Sequence, residues 1–393
     1  MQKPKQPISG LPTIGLSIIV KNESKVIERM LNTVHPILDY YCVIDTGSTD
    51  GTQDIVRKFF EEKGIPGEVI DHKWVNFQDA RNTALEAVKG KTDFGFWIDA
   101  DEQLTFDPGF NIMNLKMALA RIDGGNVKVT YGDQNYYRMQ FFRTNKPWYW
   151  YGPVHEVLIS DEPLGSAEVP GLGVLVTPDG NSWTSESIQS KYEGHAKILE
   201  DYVANDPKKD PRWLFYLAQS YRDAGGEDNL KKSLEWYTKR AENLTGFWEE
   251  VYYSGLMAAT IKAQLKHPTA EIIEDYLKIG KTNIFRCEHL VPIIMHYQAI
   301  KEFDISYIFS SHAMKYAGKT PFPKATLFID KNTYNWKIFD LHCLNCFYSG
   351  RKEEGEQAFK RLLKARDKGY IPQSELARIE QNRQWFTKAK NGK

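Results

Sequence analysis

Gly95-Phe96-Trp97-Ile98-Asp99-Ala100-Asp101-Glu102 is the stretch on which the reading of the first half of the chain turns. Phe96, Trp97 and Ile98 are bulky, aromatic or β-branched and show no helical spacing, which predicts a buried strand. An unbroken apolar run suits a parallel strand covered on both faces. It ends in Asp99, Asp101 and Glu102, at the carboxyl end that opens into the ligand crevice of α/β sheets. Asp99 and Asp101 stand two apart, so an extended chain with a bend brings both to one cation. Their hard oxygens suit Mg²⁺ or Mn²⁺, held by one or two carboxylates together with substrate phosphates. A solvated acidic loop fits the same residues, and the flanking sequence has to decide.

Upstream, Gly15 to Val20 is an apolar run followed by Lys21-Asn22-Glu23-Ser24. An amphipathic helix comes next, with Val26, Ile27, Met30, Leu31 and Val34 on one face and Ser24 or Asn22 as its cap. Tyr40 to Ile44 is a second strand, ending in Asp45-Thr46-Gly47-Ser48-Thr49-Asp50-Gly51-Thr52. Gln53 to Glu62 reads as helix, Gly67 to Ile70 as strand, Asn76 to Val88 as helix and Phe94 to Ile98 as strand. This alternation predicts a parallel sheet with right-handed crossovers. The carboxyl ends of its strands share one edge, so Asn22, Glu23, Asp45, Asp99 and Asp101 converge. Asp45 is placed to accept a hydrogen bond from a ribose hydroxyl or a base N–H. Ser48, Thr49 and Asp50 read as a turn containing an N-cap. Arg81, early in its helix, is either a surface charge or a bidentate partner for a diphosphate. No Gly-x-Gly-x-x-Gly or phosphate-loop pattern is present, which argues against a dinucleotide oxidoreductase or an ATPase.

Four ordered segments resemble a known family over about the first 105 residues. They are Leu16 to Glu23 (LSIIVKNE), Val43 to Thr52 (VIDTGSTDGT), Asp79 to Asn82 (DARN) and Trp97 to Glu102 (WIDADE). The family is that of the family 2 nucleotide-sugar glycosyltransferases with the GT-A fold, a Rossmann-like mixed-sheet domain. The resemblance implies that Asp45 helps hold the nucleotide base. It also implies that Asp99 and Asp101 contact the ribose and the diphosphate-bound Mn²⁺ or Mg²⁺. Asn22, Glu23 and Arg81 complete the donor-side set, and the implied donor is a UDP-sugar or a similar nucleotide sugar.

Beyond Asp107, alternation over Val127 to Tyr131 and Tyr136 to Arg143 predicts antiparallel strands. Trp148-Tyr149-Trp150-Tyr151 follows, as core or as a platform for an apolar sugar face, and leads into Gly152-Pro153-Val154-His155-Glu156. The Gly-x-Val-His-Glu pattern resembles the subgroup of this family that carries a helical-repeat tail and includes a peptide S-glycosyltransferase. An inverting transfer needs a base for the acceptor proton. Glu156 takes that role, with His155 beside it as a metal, phosphate or orienting contact. From the spacing alone, a satisfied buried histidine at 155 and a strand-edge charge at 156 are the better fit. Arg138 and Arg143 either neutralise the departing diphosphate or lie on the surface. The subgroup usually has a His shortly before a Gly at the end of the last strand of this domain. Here Val176-Thr177-Pro178-Asp179-Gly180 stands in that place. Either Asp179 substitutes as a metal ligand or the metal rests on Asp101 and donor phosphates.

From Ile188 onward the periodicity is helical, which divides the chain into an α/β domain over 1–187 and an all-α domain over 188–393. Leu214, Leu217, Ala218, Tyr221, Leu234 and Tyr237 resemble a tetratricopeptide helix pair, with turn residues Gly225-Gly226. Similar pairs are expected near 248–283, 286–317 and 334–366. Stacked pairs present a surface for a polypeptide or for a second copy of the chain. Cys343 and Cys346 fall on an inward helix face, which weakens a redox reading, and His289, His296 and His342 read as packing or surface residues. Lys388 to Lys393 reads as a frayed tail. With 51 basic and 51 acidic residues, bulk nucleic acid is a disfavoured acceptor. Four scattered cysteines, no apolar leader and no run long enough to span a membrane point to a reducing, cytoplasmic setting. The sequence is therefore read as a transferase from a nucleotide-sugar donor to the hydroxyl or thiol of a protein, peptide or glycan. The competing reading is a retired enzyme serving as a nucleotide-binding scaffold.

Overall fold

A computed structural model describes residues 7–132, 134–180, 188–206, 209–283, 285–319 and 328–387. The expected frayed tail lies outside these residues. The first half builds one eight-stranded sheet and a separate two-stranded hairpin. Strands β1 (Ile14–Val20), β2 (Tyr40–Asp45), β3 (Gly67–Asp71) and β4 (Phe94–Phe96) run parallel in the order β3-β2-β1-β4. Helices α1 (Ile27–Val34), α2 (Thr52–Lys63) and α3 (Phe77–Val88) are the crossovers. The residue period of two in β1 separates its faces. Ile14, Leu16, Ile18 and Val20 pack with Ile27, Met30 and Leu31 of α1 and with Val56 and Phe60 of α2. Ile19 turns to the other face, where Cys42 and Ile44 meet Ala84 of α3. The strands are thus covered on both sides, as their apolar runs require.

Beyond β4 the sheet becomes mixed. It continues through β7 (Gln134–Arg143), β6 (Gly124–Tyr131), β10 (Ser166–Val176) and β5 (Glu102–Phe106), with α4 (Ile112–Leu119) between β5 and β6. β7 is antiparallel to both neighbours, and β10 runs parallel to β6 but antiparallel to β5. The register of β10 shifts between Glu168 and Gly173, around Pro170, which cannot donate to a ladder. Strands β8 (Tyr149–Tyr151) and β9 (Val157–Ile159) form the hairpin. Arg143 pairs with Phe94 at the amino end of β4, away from the acidic run. Its guanidinium donates to the carbonyls of Leu119, Ala120 and Ile122, at and beyond the carboxyl end of α4, where a cation is favoured. A role for Arg143 in holding a diphosphate is therefore corrected to a helix-end contact.

The N-caps also differ from expectation. α1 begins after Val26 and α2 after Gly51, neither of which offers a side-chain cap bond, so Ser24, Asn22, Ser48 and Thr49 are not the N-caps, while Asp50 Oδ1 accepts from the first N–H of α2, that of Thr52, at 3.1 Å. The compact units divide between Asn205 and Asp206. The helix α5 (Ile188–Asn205) belongs to the first unit, because His195 packs on Phe77 and on His155.

Among its described residues the second unit has helices joined by turns and no strand. Its helices are α6 (Arg212–Ala224), α7 (Glu227–Glu242), α8 (Trp248–Gln264), α9 (Thr269–Ile279), α10 (Leu290–Ala299), α11 (Phe303–Ala313), α12 (Ile338–Tyr348), α13 (Lys352–Asp367) and α14 (Gln373–Thr387). They pair as α6–α7, α8–α9, α10–α11 and α12–α13, where the sequence places pairs. One π turn, Thr333–Lys337, precedes α12. All four cysteines are free and buried. No described helix is long and apolar enough to cross a membrane.

Candidate active site

The carboxyl edge of the parallel strands is closed by two loops joined backbone to side chain. The Asn22 N–H donates to Ser48 Oγ, Glu23 N–H to Thr52 Oγ1 and Ser24 N–H to Asp50 Oδ2, each at 2.9 Å. Asn22 takes a left-handed conformation (φ +57°), and its Oδ1 accepts from Thr49 N–H at 2.8 Å. The Gly-Ser-Thr-Asp-Gly run thus anchors the loop after β1, and the Asn22 side-chain oxygen is part of that anchor. Asp45, wholly buried at the end of β2, is oriented by the turn that follows it. Its Oδ1 accepts from Gly47 and Ser48 N–H, at 2.8 and 2.7 Å. Its Oδ2 is buried without a hydrogen-bond partner. An unmet buried acceptor is costly and marks a place for a donor group.

Helix α3 carries the hairpin. Asn82 bonds both ways with the Trp150 backbone, at 3.0 and 2.8 Å, and Gln78 Oε1 accepts from Gly152 N–H at 2.7 Å. These bonds set the turn between β8 and β9 that bears His155 and Glu156. Arg81 faces inward on the same helix, between Trp97 and Trp150, with its guanidinium carbon 4.7 and 5.0 Å from their ring centres. Its Nη2 donates to Asp99 Oδ1 at 2.7 Å, and its Nε donates to Glu156 Oε1. Burial alone would lower the Arg81 pKa, but Asp99 and then Glu156 outweigh it and raise it. The aromatics at 148 and 150 are core, packed with Trp97, Leu85 and Val88.

A second arginine closes the cluster. Arg138 donates to Glu102 Oε2 at 2.7 Å and lies 4.4 Å over Trp97. Glu102 is buried and accepts from Asp99 N–H at 3.1 Å. Burial, then the Asp99 charge, holds the Glu102 carboxyl above its usual range despite Arg138. Burial would also raise Asp99, but Arg81 and Arg138 prevail and lower it. Asp101 sits further out. A Cβ on Gly180 would come within 3.2 Å of a carboxylate oxygen of both Asp101 and Glu23, so those two acids flank one glycine. Lys191 of α5 acts on Asp101 and Asp99 electrostatically.

Asp179 is engaged elsewhere. Both its oxygens accept from Arg29, each at 2.6 Å, and Arg29 also reaches Thr177 Oγ1 at 3.0 Å. The candidate metal ligand at Asp179 is thereby corrected to an ion-pair partner of Arg29. The edge contains no described group of three His, Cys, Asp or Glu donors gathered closely enough for an ion. It fits a hard divalent cation held by Asp101, with Glu23 beside it, and completed by phosphate oxygens.

Residues 16–161 match the model of glycosyl transferase family 2, a span that includes every acidic group from Glu23 to Glu156. The chain carries a glycosyl transferase family 2 domain. Over 245 residues it is 29% identical to the SPbeta prophage-derived glycosyltransferase SunS of Bacillus subtilis (strain 168), covering 59% of this chain and 55% of that one. The chain thus spans about half the length of this curated relative. Among solved structures, S. aureus TarS 1–349 in complex with UDP-GlcNAc aligns at a TM-score of 0.35 and 17% identity, over 69% of this chain and 91% of that one. MamA aligns at 0.34 and 13%, over 46% and 92%. At those values the fold rests on the strand order and helix pairs described above.

Within the family 2 domain, Asp45, Asp99, Asp101 and Glu23 gather at one edge as expected. Arg81 does so as well; it is buried, binds the carboxylates of Asp99 and Glu156, and is not a surface charge. Sequence reasoning named Glu102 only as part of the acidic run and missed Arg29, Lys191 and His195. His195 Nδ1 is buried without a hydrogen-bond partner, and the ring lies 6.0 Å from that of His155, which has a left-handed backbone (φ +52°). Burial, helped by the Lys191 charge, pushes His195 down from 6.5 to about 4. Between those values the unfolded chain binds more protons, so stability rises with pH through the window and is lost as pH falls through it. The full effect is about 3 kcal/mol. His195→Gln is expected to lose less stability than the native chain between about pH 7 and about pH 4.5, read by urea denaturation. Equal losses would show that His195 does not set the slope.

Proposed function

We propose that the chain transfers a glycosyl group from a nucleotide sugar, a UDP-sugar in the first instance, to a hydroxyl or thiol. The observation that carries this reading is the partnerless Asp45 Oδ2, buried at the ligand edge of a family 2 domain. A base N–H satisfies it. Asp99 is next along the edge and faces the ribose, and Asp101 with Glu23 faces the diphosphate. A divalent cation bound there, Mn²⁺ or Mg²⁺, would offset the charge that builds on the departing nucleoside diphosphate. Glu156 takes the acceptor proton while the acceptor oxygen or sulfur bonds to the anomeric carbon. The bond from that carbon to the diphosphate oxygen breaks and its electron pair leaves with the diphosphate. Attack on the face opposite the departing diphosphate inverts the anomeric centre. The acceptor we favour is a protein, peptide or glycan, with the helical unit offering the surface for it.

One observation favours a second reading, a nucleotide-binding scaffold without turnover: Glu156 is ion-paired to Arg81 and its side chain is only 10% exposed. A panel of nucleotide sugars with Mn²⁺, Mg²⁺ or chelator separates the two. Metal-dependent nucleotide release from one donor, lost in Asp101→Ala, is the expected result. Binding of nucleotide without release from any donor selects the scaffold.

Asp45→Asn puts an amide donor where Oδ2 accepts. Loss of one hydrogen bond to a charged group, with two donors left face to face, is expected to weaken nucleotide binding by about 10- to 100-fold. Calorimetric titration with UDP reads this directly, and an unchanged Kd would remove Asp45 from the donor site.

A further inference from the structure

Glycosyl transfer leaves one cluster in the helical unit unused. His342 and Cys346 lie one turn apart on α12 and so share a face, and Glu354 of α13 meets them. His342 Nε2 is 3.1 Å from Glu354 Oε1 and 3.4 Å from Cys346 Sγ. The three donor atoms lie within 4.8 Å of one another. A tetrahedral zinc ion with ordinary bond lengths would separate nitrogen from oxygen by about 3.4 Å and nitrogen from sulfur by about 3.6 Å. The two separations that meet at Nε2 therefore need to open by only a few tenths of an ångström.

The surrounding bonds hold the far side of the imidazole ring. Ser310 Oγ donates to the Tyr307 carbonyl at 3.1 Å and accepts from Asn345 Nδ2 at 2.9 Å. It also lies 2.9 Å from His342 Nδ1, which becomes the donor to it when a metal takes Nε2. Nε2 faces a carboxylate oxygen and a sulfur, so one cation among the three atoms is met by a ligand on each side. Tyr307 orients the carboxylate by donating its hydroxyl to Glu354 Oε2 at 2.7 Å.

We propose that His342 Nε2, Cys346 Sγ and Glu354 bind one Zn²⁺ ion, with water as the fourth ligand. His342 and Cys346 are wholly buried, while the Glu354 side chain is 43% exposed and leaves a route for ion and water. Nitrogen, thiolate and carboxylate together select zinc over the hard cations of the donor site. One thiolate and one carboxylate balance the charge of the ion, which suits a buried site. Binding replaces the thiol proton by the metal and releases it to solvent. The ion fixes α12 to α13 and, through Ser310 and Tyr307, orders both against α11.

Cobalt substitution tests this in the full chain, reduced and stripped of metal. One equivalent of Co²⁺ is expected to give tetrahedral visible bands and a thiolate-to-cobalt charge-transfer band, both abolished by Zn²⁺. Cys343→Ser keeps the charge-transfer band and Cys346→Ser loses it. Its absence from the folded native chain, or its persistence in Cys346→Ser, overturns the proposal. Should Cys346→Ser fail to fold, His342→Gln decides: Co²⁺ affinity falls by about tenfold or more, and an unchanged affinity overturns the proposal.

Discussion

Arg81→Met is expected to destabilise the family 2 domain by about 3–5 kcal/mol and to abolish donor turnover. The methionine fills the slot between Trp97 and Trp150, so the loss is not one of packing. It comes from the carboxylates. The Arg81 side chain is 8% exposed and bridges Glu156, 10% exposed, and Asp99, 39% exposed. Without it Glu156 is a buried charge with no partner, while Asp99 recovers part of its loss from solvent and from Arg138. Arg81→Lys keeps the charge but not the planar fork that reaches two acids and stacks between two indoles, and it is expected to restore less than half of the stability. The deficit also depends on pH. Asp99 has a lowered native pKa, so its contribution is present above its unfolded value of 3.8 and is lost as pH falls. The gap between native chain and Arg81→Met therefore narrows below about pH 4. Urea denaturation across pH measures all three quantities. A lysine variant as stable as the native chain would show that charge alone, not the fork, holds the cluster.

The parallel half of the sheet was legible because each strand declares itself by an apolar run ending in a polar loop. The carboxyl-edge rule then brings Asp45, Asp99 and Asp101 together without any structure. The antiparallel half was less so. β5, β8 and β9 are short and owe their pairing to partners distant in sequence, and β10 is broken by Pro170 and the register shift beside it. The buried ionic cluster was missed for a related reason. An arginine in a helix reads as surface unless its partners are known, and those of Arg81 lie on β8, on the following turn and beyond β4. One signal was available: Arg81 follows Ala80 and precedes Ala84 and Leu85, all inward residues of α3. Asp179 misled in the opposite direction. It stands where a metal-ligating His is usual in the resembling subgroup, but Arg29 on α1 had no feature marking it as the partner. The run Gly47 to Gly51 was assigned to a turn, which it forms around Asp45, and the side chains of Ser48, Asp50 and Thr52 also receive the backbone donors of residues 22–24.

Glu156→Gln is the second large effect, and it separates the reading of a base from that of a positioning group. The amide oxygen still accepts from Arg81, so the fold and donor binding are expected to stay close to native. What is lost is a group able to take a proton, which lowers transfer by about 10²- to 10⁴-fold at unchanged donor KM. The acceptor decides how that loss varies with pH. A thiol ionises unaided near pH 8.5, so a thiol acceptor restores much of the rate as pH approaches 9, because the attacking group no longer needs a base. A hydroxyl acceptor offers no such escape, and the deficit then holds across the range. Glu156→Asp retains the charge but withdraws it by about one methylene, and its expected rate lies between the two. Transfer by Glu156→Gln at the native rate at every pH would mean that Glu156 only anchors Arg81. The proton would then have to leave by another group near the turn, with His155 the first to substitute.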